Sequence, residues 1–181
     1  IEYFTGLLQD ITARRAAEAT EQEQRRVAEA LRDGLAALTG FLTVEGVMQQ
    51  ILNAAAIVVP SEAGSIILFE GDYGHVAYLR GFTPEAQGFF KDYWFPLASM
   101  AHENVFAAKQ AYFVPDTQTT SDWIALPATA WIRSSIGIPI TMRGEIMGLL
   151  AVDSAIAHQF QLADMEKLQA FAHYAGLALE N

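Results

Sequence analysis

Apolar and polar positions alternate most clearly near the end of the chain, between Ser134 and Asn181. Ile136, Ile138, Ile140 and Met142 are separated by smaller or polar residues, the period-two pattern of a strand. Arg143-Gly144 predicts a tight turn, because Gly tolerates positive φ, and Ile146 to Val152 runs back as a nearly continuous apolar strand. Phe160 and its polar neighbours then lead into a helix over 162–180. Its apolar positions Leu168, Phe171, Ala172, Ala175 and Leu179 recur at intervals of three and four, so one face is buried.

A second helix is predicted over 43–58. Thr43 can cap it, Val44, Val47, Met48, Ile51, Leu52, Ala55 and Val58 form its apolar stripe, and Pro60 ends it. Such a stripe is core far more often than a cofactor box. Gly64–Phe69 and His75–Gly81 are strands around a turn at Glu70-Gly71-Asp72-Tyr73-Gly74. From Phe82-Thr83-Pro84-Glu85 to Arg133 the pattern is irregular and rich in rings, including Trp94, Trp123, Trp131, Phe89, Phe90, Tyr93, Phe95 and Phe106. Within it a short helix is expected over Ser99–Lys109. Tyr112-Phe113-Val114 reads as a short strand leaving for a loop at Pro115-Asp116-Thr117.

Upstream, Ala13 to Thr39 is rich in Ala, Glu, Gln and Arg and has no Pro. A seven-residue spacing links Ala17, Gln24, Leu31 and Leu38, and another links Ala13, Thr20, Val27 and Gly34. The first half of this helix reads as solvated; from Val27 onward it can pair with a copy of itself. Gly40 breaks the pattern.

Two stretches resemble known families. The strand–turn–strand of Ser134, Pro139, Gly144, Gly148 and Leu150, followed by Phe160-x-x-x-Asp164 and the helix of Leu168 and Ala172, resembles the end of a GAF domain. The resemblance covers roughly residues 35–181, although the Gly usual before the middle strand is replaced around Lys109-Gln110. Gly6, Asp10, Ile11 and Thr12, followed by Arg14 and Arg15, resemble the end of a PAS domain, where Asp-Ile-Thr leads into a helix. An ordinary capped helix would also explain those residues. The expected organisation is the end of a PAS domain at 1–12, a connector helix at 13–39 and a GAF domain at 40–181. The expected fold is α+β: a GAF-like antiparallel sheet with helices packed on one face and an aromatic-rich segment on the other, preceded by a long N-terminal helix.

Composition narrows the function. With 181 residues, 52% hydrophobic, the chain has ample material for a core. A formal net charge of −10 argues against a nucleic-acid surface. There is no Cys, so within this chain a disulfide, a thiolate metal site and a Cys nucleophile are excluded. Covalent bilin attachment and the GAF-type methionine sulfoxide reductase chemistry both need Cys and fail for that reason. No run is long and apolar enough for a membrane span, and no secretory pattern opens the chain. A cytoplasmic location is the expectation, and a start at Ile points to a fragment of a longer protein.

The chemistry, if any, is expected where aromatic side chains overlie the sheet. Resemblance to the GAF family places a ligand between the sheet and the connecting segments, with Trp94, Phe95, His102, Phe106, Trp123, Trp131 and Ile138 as candidates. The plain alternative is that these rings fill space as core. His75, His102, His158 and His173 stand apart, without metal-ligand spacing. His102 could ligate a haem or bond a ligand, but a single His is more often ordinary. Cyclic-nucleotide-binding members carry Asn-Lys before Phe-x-x-x-Asp-Glu; here Asp153-Ser154 and Met165 stand at those positions, which argues against that ligand. Ser154, His158 and Asp153 lie close in sequence but lack a nucleophile elbow.

The resemblance therefore implies a sensory module of a multidomain signalling protein, of the histidine kinase (two-component) or cyclic-di-nucleotide enzyme type. It would not itself be an enzyme. A homodimer through the N- and C-terminal helices, an effector domain downstream and an unidentified small-molecule ligand are the expected partners. A ligand-free GAF domain serving only dimerisation and relay is the alternative.

Overall fold

A computed structural model of the protein describes residues 43–97, 111–120, 123 and 126–180. The chain divides into two units, 1–43 and 44–181, and the second carries all the elements below. The expected PAS end, the connector helix and the short helix over Ser99–Lys109 lie outside the described residues.

Helix α1 (Val44–Val58) precedes strands β1 (Ala63–Glu70) and β2 (Tyr73–Arg80). Helix α2 (Pro84–Lys91) and strand β3 (Trp94–Pro96) follow, then β4 (Tyr112–Val114), a 3₁₀ turn at Pro127–Thr129, β5 (Ser134–Met142), β6 (Glu145–Ser154) and α3 (Leu162–Glu180). The strands form a six-stranded sheet in the order β3-β2-β1-β6-β5-β4, and every pairing is antiparallel. The expected α+β arrangement of two hairpins and a middle strand is present. It is enlarged by β3 at one edge and α2 beside it.

The first hairpin is tighter than expected, and the second turns at the two residues the sequence points to. The first turns on Gly71-Asp72 alone, with Gly71 at φ 58°. The second turns on Arg143 and Gly144, whose φ values of 52° and 84° are those of a two-residue turn matched to strand twist. Helix α2 was encoded in plain residues: Thr83 accepts a bond from the Ala86 amide at 3.3 Å, Pro84 opens the first turn, and Glu85 follows near the positive end of the helix.

Strand alternation and register divide the sheet into two faces. Ile66, Ile136, Ile138, Ile140, Leu150 and Val152 share one, and all are buried. Against it pack Met48, Ile51, Leu52 and Ala55 of α1 and Leu168, Ala172 and Ala175 of α3. Full burial of each large aliphatic side chain contributes about 1.5–3 kcal/mol, so this layer dominates the fold's stability. The approach is close: a Cβ on Gly176 would lie 2.6 Å from the Thr141 carbonyl oxygen, and one on Gly64 3.4 Å from Leu52 Cδ2.

Two glycine substitutions test this packing with opposite signs. Gly176→Ala removes a helix-weakening residue worth about 1 kcal/mol, yet it forces α3 away from backbone that cannot yield, so thermal unfolding should shift down. Gly88→Ala in α2 meets nothing within 4 Å and should raise the midpoint, by about 0.5–1 kcal/mol in stability. A Gly176→Ala protein as stable as the original would refute the close contact.

Candidate functional site

The opposite face of the sheet has a different character. Ser135, Gly137 and Pro139 of β5 alternate out of the helix-covered layer, and register sets them beside Asp153, Ala151 and Leu149 of β6. Ala63, Ser65 and Ile67 of β1 continue the same face. Most of these side chains are small.

At the β1–β2 end this face is closed by rings. Ala63, Phe82, Ala86 and Phe90 form a buried cluster with Val76, Leu79, Tyr93, Leu126 and Trp131 packed against it. Phe82 meets Phe90 edge-on at 5.8 Å and Trp131 at 5.9 Å. This is tightly filled core.

At the β4–β5–β6 end the face is polar and buried. A Cβ on Gly137 would overlap the Tyr112 ring, so the glycine is what lets the ring lie across β5. The Ser135 hydroxyl donates to Asp153 Oδ1 at 2.8 Å, and the Tyr112 hydroxyl lies 3.3 Å from Ser135 Oγ. When the Asp153 carboxyl is ionised, Ser135 gives its single proton to it, and Tyr112 is then the donor in the second bond. The result is a directed chain from Tyr112 through Ser135 to Asp153. Ser135 is fully buried and Asp153 is 4% exposed.

The electrostatics follow from burial. Desolvation pushes the Asp153 carboxyl up to about 7, against a smaller opposing effect of the Ser135 bond. Burial, and then the Asp153 charge, push the Tyr112 hydroxyl up as well. Among the described residues no Lys or Arg forms an ion pair with Asp153.

A rigid frame surrounds this chain. Arg133 donates to both carboxylate oxygens of Asp116, from Nε at 3.1 Å and Nη2 at 3.0 Å, and these bonds hold the Asp116 carboxyl below the usual range. Thr117 Oγ1 donates to the Ile132 carbonyl at 2.7 Å, and the Arg133 amide donates to the Ser154 carbonyl at 2.7 Å. Ser134 Oγ donates to the Ile156 carbonyl at 2.7 Å, and the His158 amide, at φ 58°, to Pro115 O at 2.7 Å. The ends of β4, β5 and β6 are thereby tied together beside Ser135 and Asp153.

The seven candidate residues do not form one site. Trp131 and Phe95 lie on the non-helical face, Trp131 within the ring cluster and Phe95 near Tyr93 at 6.1 Å. Trp94 points the other way from its neighbour Phe95, is 46% exposed, and stacks on His75 at 4.3 Å. Ile138 also belongs to the helix-covered face, because it alternates with Gly137; it borders a groove of about 510 Å³ with Met165, Gln169 and His173 of α3. Trp123 is half-buried, its amide donating to the Thr120 carbonyl at 3.3 Å. His102 and Phe106 lie outside the described residues. Ser154 and His158 make no dyad: Ser154 is buried and accepts from the Ile156 amide, while His158 is exposed. The residues that sequence reasoning passed over are Tyr112, Ser135 and Asp153. The available signal was an acidic residue in phase with Leu149 and Ala151 at the end of an apolar strand.

The fold and its face-specific chemistry can be compared with known proteins. The GAF domain family profile matches residues 42–180. The chain belongs to the GAF domain family. Comparison with curated protein sequences finds no match. Among solved structures, the GAF domain from a phosphoenolpyruvate-protein phosphotransferase of Coxiella burnetii is 13% identical with a TM-score of 0.70, covering 84% of this chain and 91% of that one. A GAF domain/HD domain protein from Geobacter sulfurreducens is 14% identical with a TM-score of 0.66, covering 79% of this chain and 95% of that one. A free methionine-R-sulfoxide reductase from Neisseria meningitidis, solved with its substrate, is 21% identical with a TM-score of 0.60, covering 74% and 78%. At these identities the likeness is one of fold, and the proteins that carry this fold include a phosphotransferase and a reductase.

Asp153 makes the stability of this GAF domain depend on pH. Its folded value of about 7 lies above its ordinary 3.8, so the folded state holds the proton more tightly and its favourable contribution is complete below about pH 4. That contribution is lost as pH rises toward 7, with a cost on the order of 4 kcal/mol when the carboxyl is ionised. Asp153→Asn should match the wild type near pH 4 and exceed its thermal midpoint increasingly toward pH 8. A difference that stays constant across that range would refute an uncompensated buried carboxyl.

Proposed function

We propose that this chain is a sensory or regulatory module of a multidomain signal-transduction protein, binding a small molecule on the sheet face of Tyr112, Ser135 and Asp153. The observation that supports it is the buried Asp153, which costs stability when ionised and among the described residues has a single hydroxyl for a side-chain partner. A group kept at such a cost is characteristic of a site. Phosphotransferase and HD-domain relatives of the same fold are consistent with a regulatory role. We take the effector to be of the histidine kinase or cyclic-di-nucleotide enzyme type, and the compartment to be the cytoplasm. Among the described residues no helix is long and apolar enough to cross a membrane.

Catalysis within this chain is not part of the proposal. The reductase relative represents a chemistry that, from the family resemblance, works through Cys, and the chain has none. Covalent bilin attachment fails on the same ground. The ligand-free alternative also has an observation behind it: Phe82, Phe90 and Trp131 fill their end of the face as ordinary core. Native mass spectrometry of the full chain purified from its source separates the two. A retained small molecule, lost in Asp153→Asn, supports the sensor; a bare protein with an unchanged spectrum supports the pure relay.

Signal transfer would run through helices paired in a parallel homodimer. Leu31 and Leu38 are the apolar seam positions of the connector, and Val44, Ile57 and Val58 leave apolar surface exposed on α1. Sedimentation of the full chain should give a dimer, and Leu31→Asp with Leu38→Asp should give a monomer. A wild-type chain that stays monomeric at high concentration would refute the relay through paired helices.

A further inference from the structure

We propose that the ligand presents a cationic, N–H-bearing nitrogen, an ammonium or amidinium, to Asp153; this rests on the reading of that face as a ligand site. A carboxylate has two oxygens and room for about four donors, yet among the described residues Asp153 receives one side-chain bond, from Ser135 to Oδ1. Its neighbours supply nothing more. Ala63 and Ala151 flank it on the same face without polar side chains, and Pro139, farther along β5, has no amide proton. With the carboxyl ionised, Ser135 gives its proton to Asp153 and Tyr112 bonds Ser135, and the Ser65 hydroxyl, two residues along β1 from Ala63, makes no bond to the carboxyl. Among the described residues the second carboxylate oxygen, Oδ2, accepts no side-chain bond.

That arrangement selects by charge. An anionic ligand would meet a buried carboxylate that no cation among the described residues pairs with, and a neutral alcohol could satisfy Oδ2 with one proton at most. An ammonium or amidinium supplies several donors and the missing positive charge together. Tyr112 adds an aromatic ring beside the carboxyl, held across Gly137 where a Cβ would displace it.

The test uses amide NMR of the full chain titrated with four probes of one size: benzamidine, benzylamine, benzyl alcohol and benzoate. Benzamidine and benzylamine should move the Gly137 and Ala151 amides saturably, with the alcohol and the acid at least about tenfold weaker. Asp153→Asn should remove that preference, and Ser135→Ala, which keeps the carboxyl, should retain it. Alcohol or benzoate binding at these amides as tightly as benzamidine would leave the ligand face standing and overturn its chemistry. Failure of all four probes to move Gly137 or Ala151 would overturn the ligand face itself and this inference with it. The comparison of probes on the wild-type chain decides between these even where Asp153→Asn does not fold.

Discussion

Register between β5 and β6 is the constraint on which everything else depends. Ile136 opposite Val152 and Ile138 opposite Leu150 put a continuous aliphatic layer under α1 and α3. The same pairing puts Ser135 opposite Asp153 on the other side. A slip of one residue would exchange the faces, driving a carboxyl into the helix layer and the isoleucines out of it. The two-residue turn at Arg143-Gly144 and the shift between Ile140 and Thr141 hold the pairing, and α3 at Gly176 leaves no space for another.

Given that register, the polar chain of Tyr112, Ser135 and Asp153 is affordable only because its surroundings are rigid. A buried carboxyl with one hydroxyl partner is an unfavourable term, and a loose site would relieve it by turning the side chain to solvent. The Asp116–Arg133 ion pair and the bonds from Thr117, Arg133, Ser134 and His158 tie three strand ends together and leave Asp153 where alternation puts it. The hydrophobic layer on the far side supplies the stability that offsets the cost.

Much of the fold was legible because its strongest signals are local. The helix over 162–180 and the one ending at Val58 show wide apolar stripes, and the Arg143-Gly144 turn is named by its residues. Helix α2 was obscured by its rings, although Thr83-Pro84-Glu85 spelled a capped start. Strand β3 is three residues long, too short for a period to register. The site was less legible for a physical reason. Whether Trp94 or Phe95, Gly137 or Ile138 faces a ligand depends on parity, and parity depends on long-range pairing with irregularities between Ile66 and Ile67 and between Ile140 and Thr141. Counting aromatic residues could not resolve it. An acidic residue in phase with a buried strand face was the better guide.

The position of Asp153 also bears on how occupancy would be transmitted. It lies at the end of β6, next to Ser154, whose carbonyl and hydroxyl hold Arg133 and Ile156. From there a short loop, pinned by His158 to Pro115 and by Ser134 to Ile156, leads to Leu162 and the start of α3. Neutralising the carboxyl, by a proton or by a cationic ligand, changes the balance of forces at the strand end without touching the aliphatic layer. Among the described helices, α3 is the one this loop leads into, and it packs against β5. A perturbation confined to the polar end of the sheet would thus meet the start of α3 through this loop, away from the ring cluster at the other end.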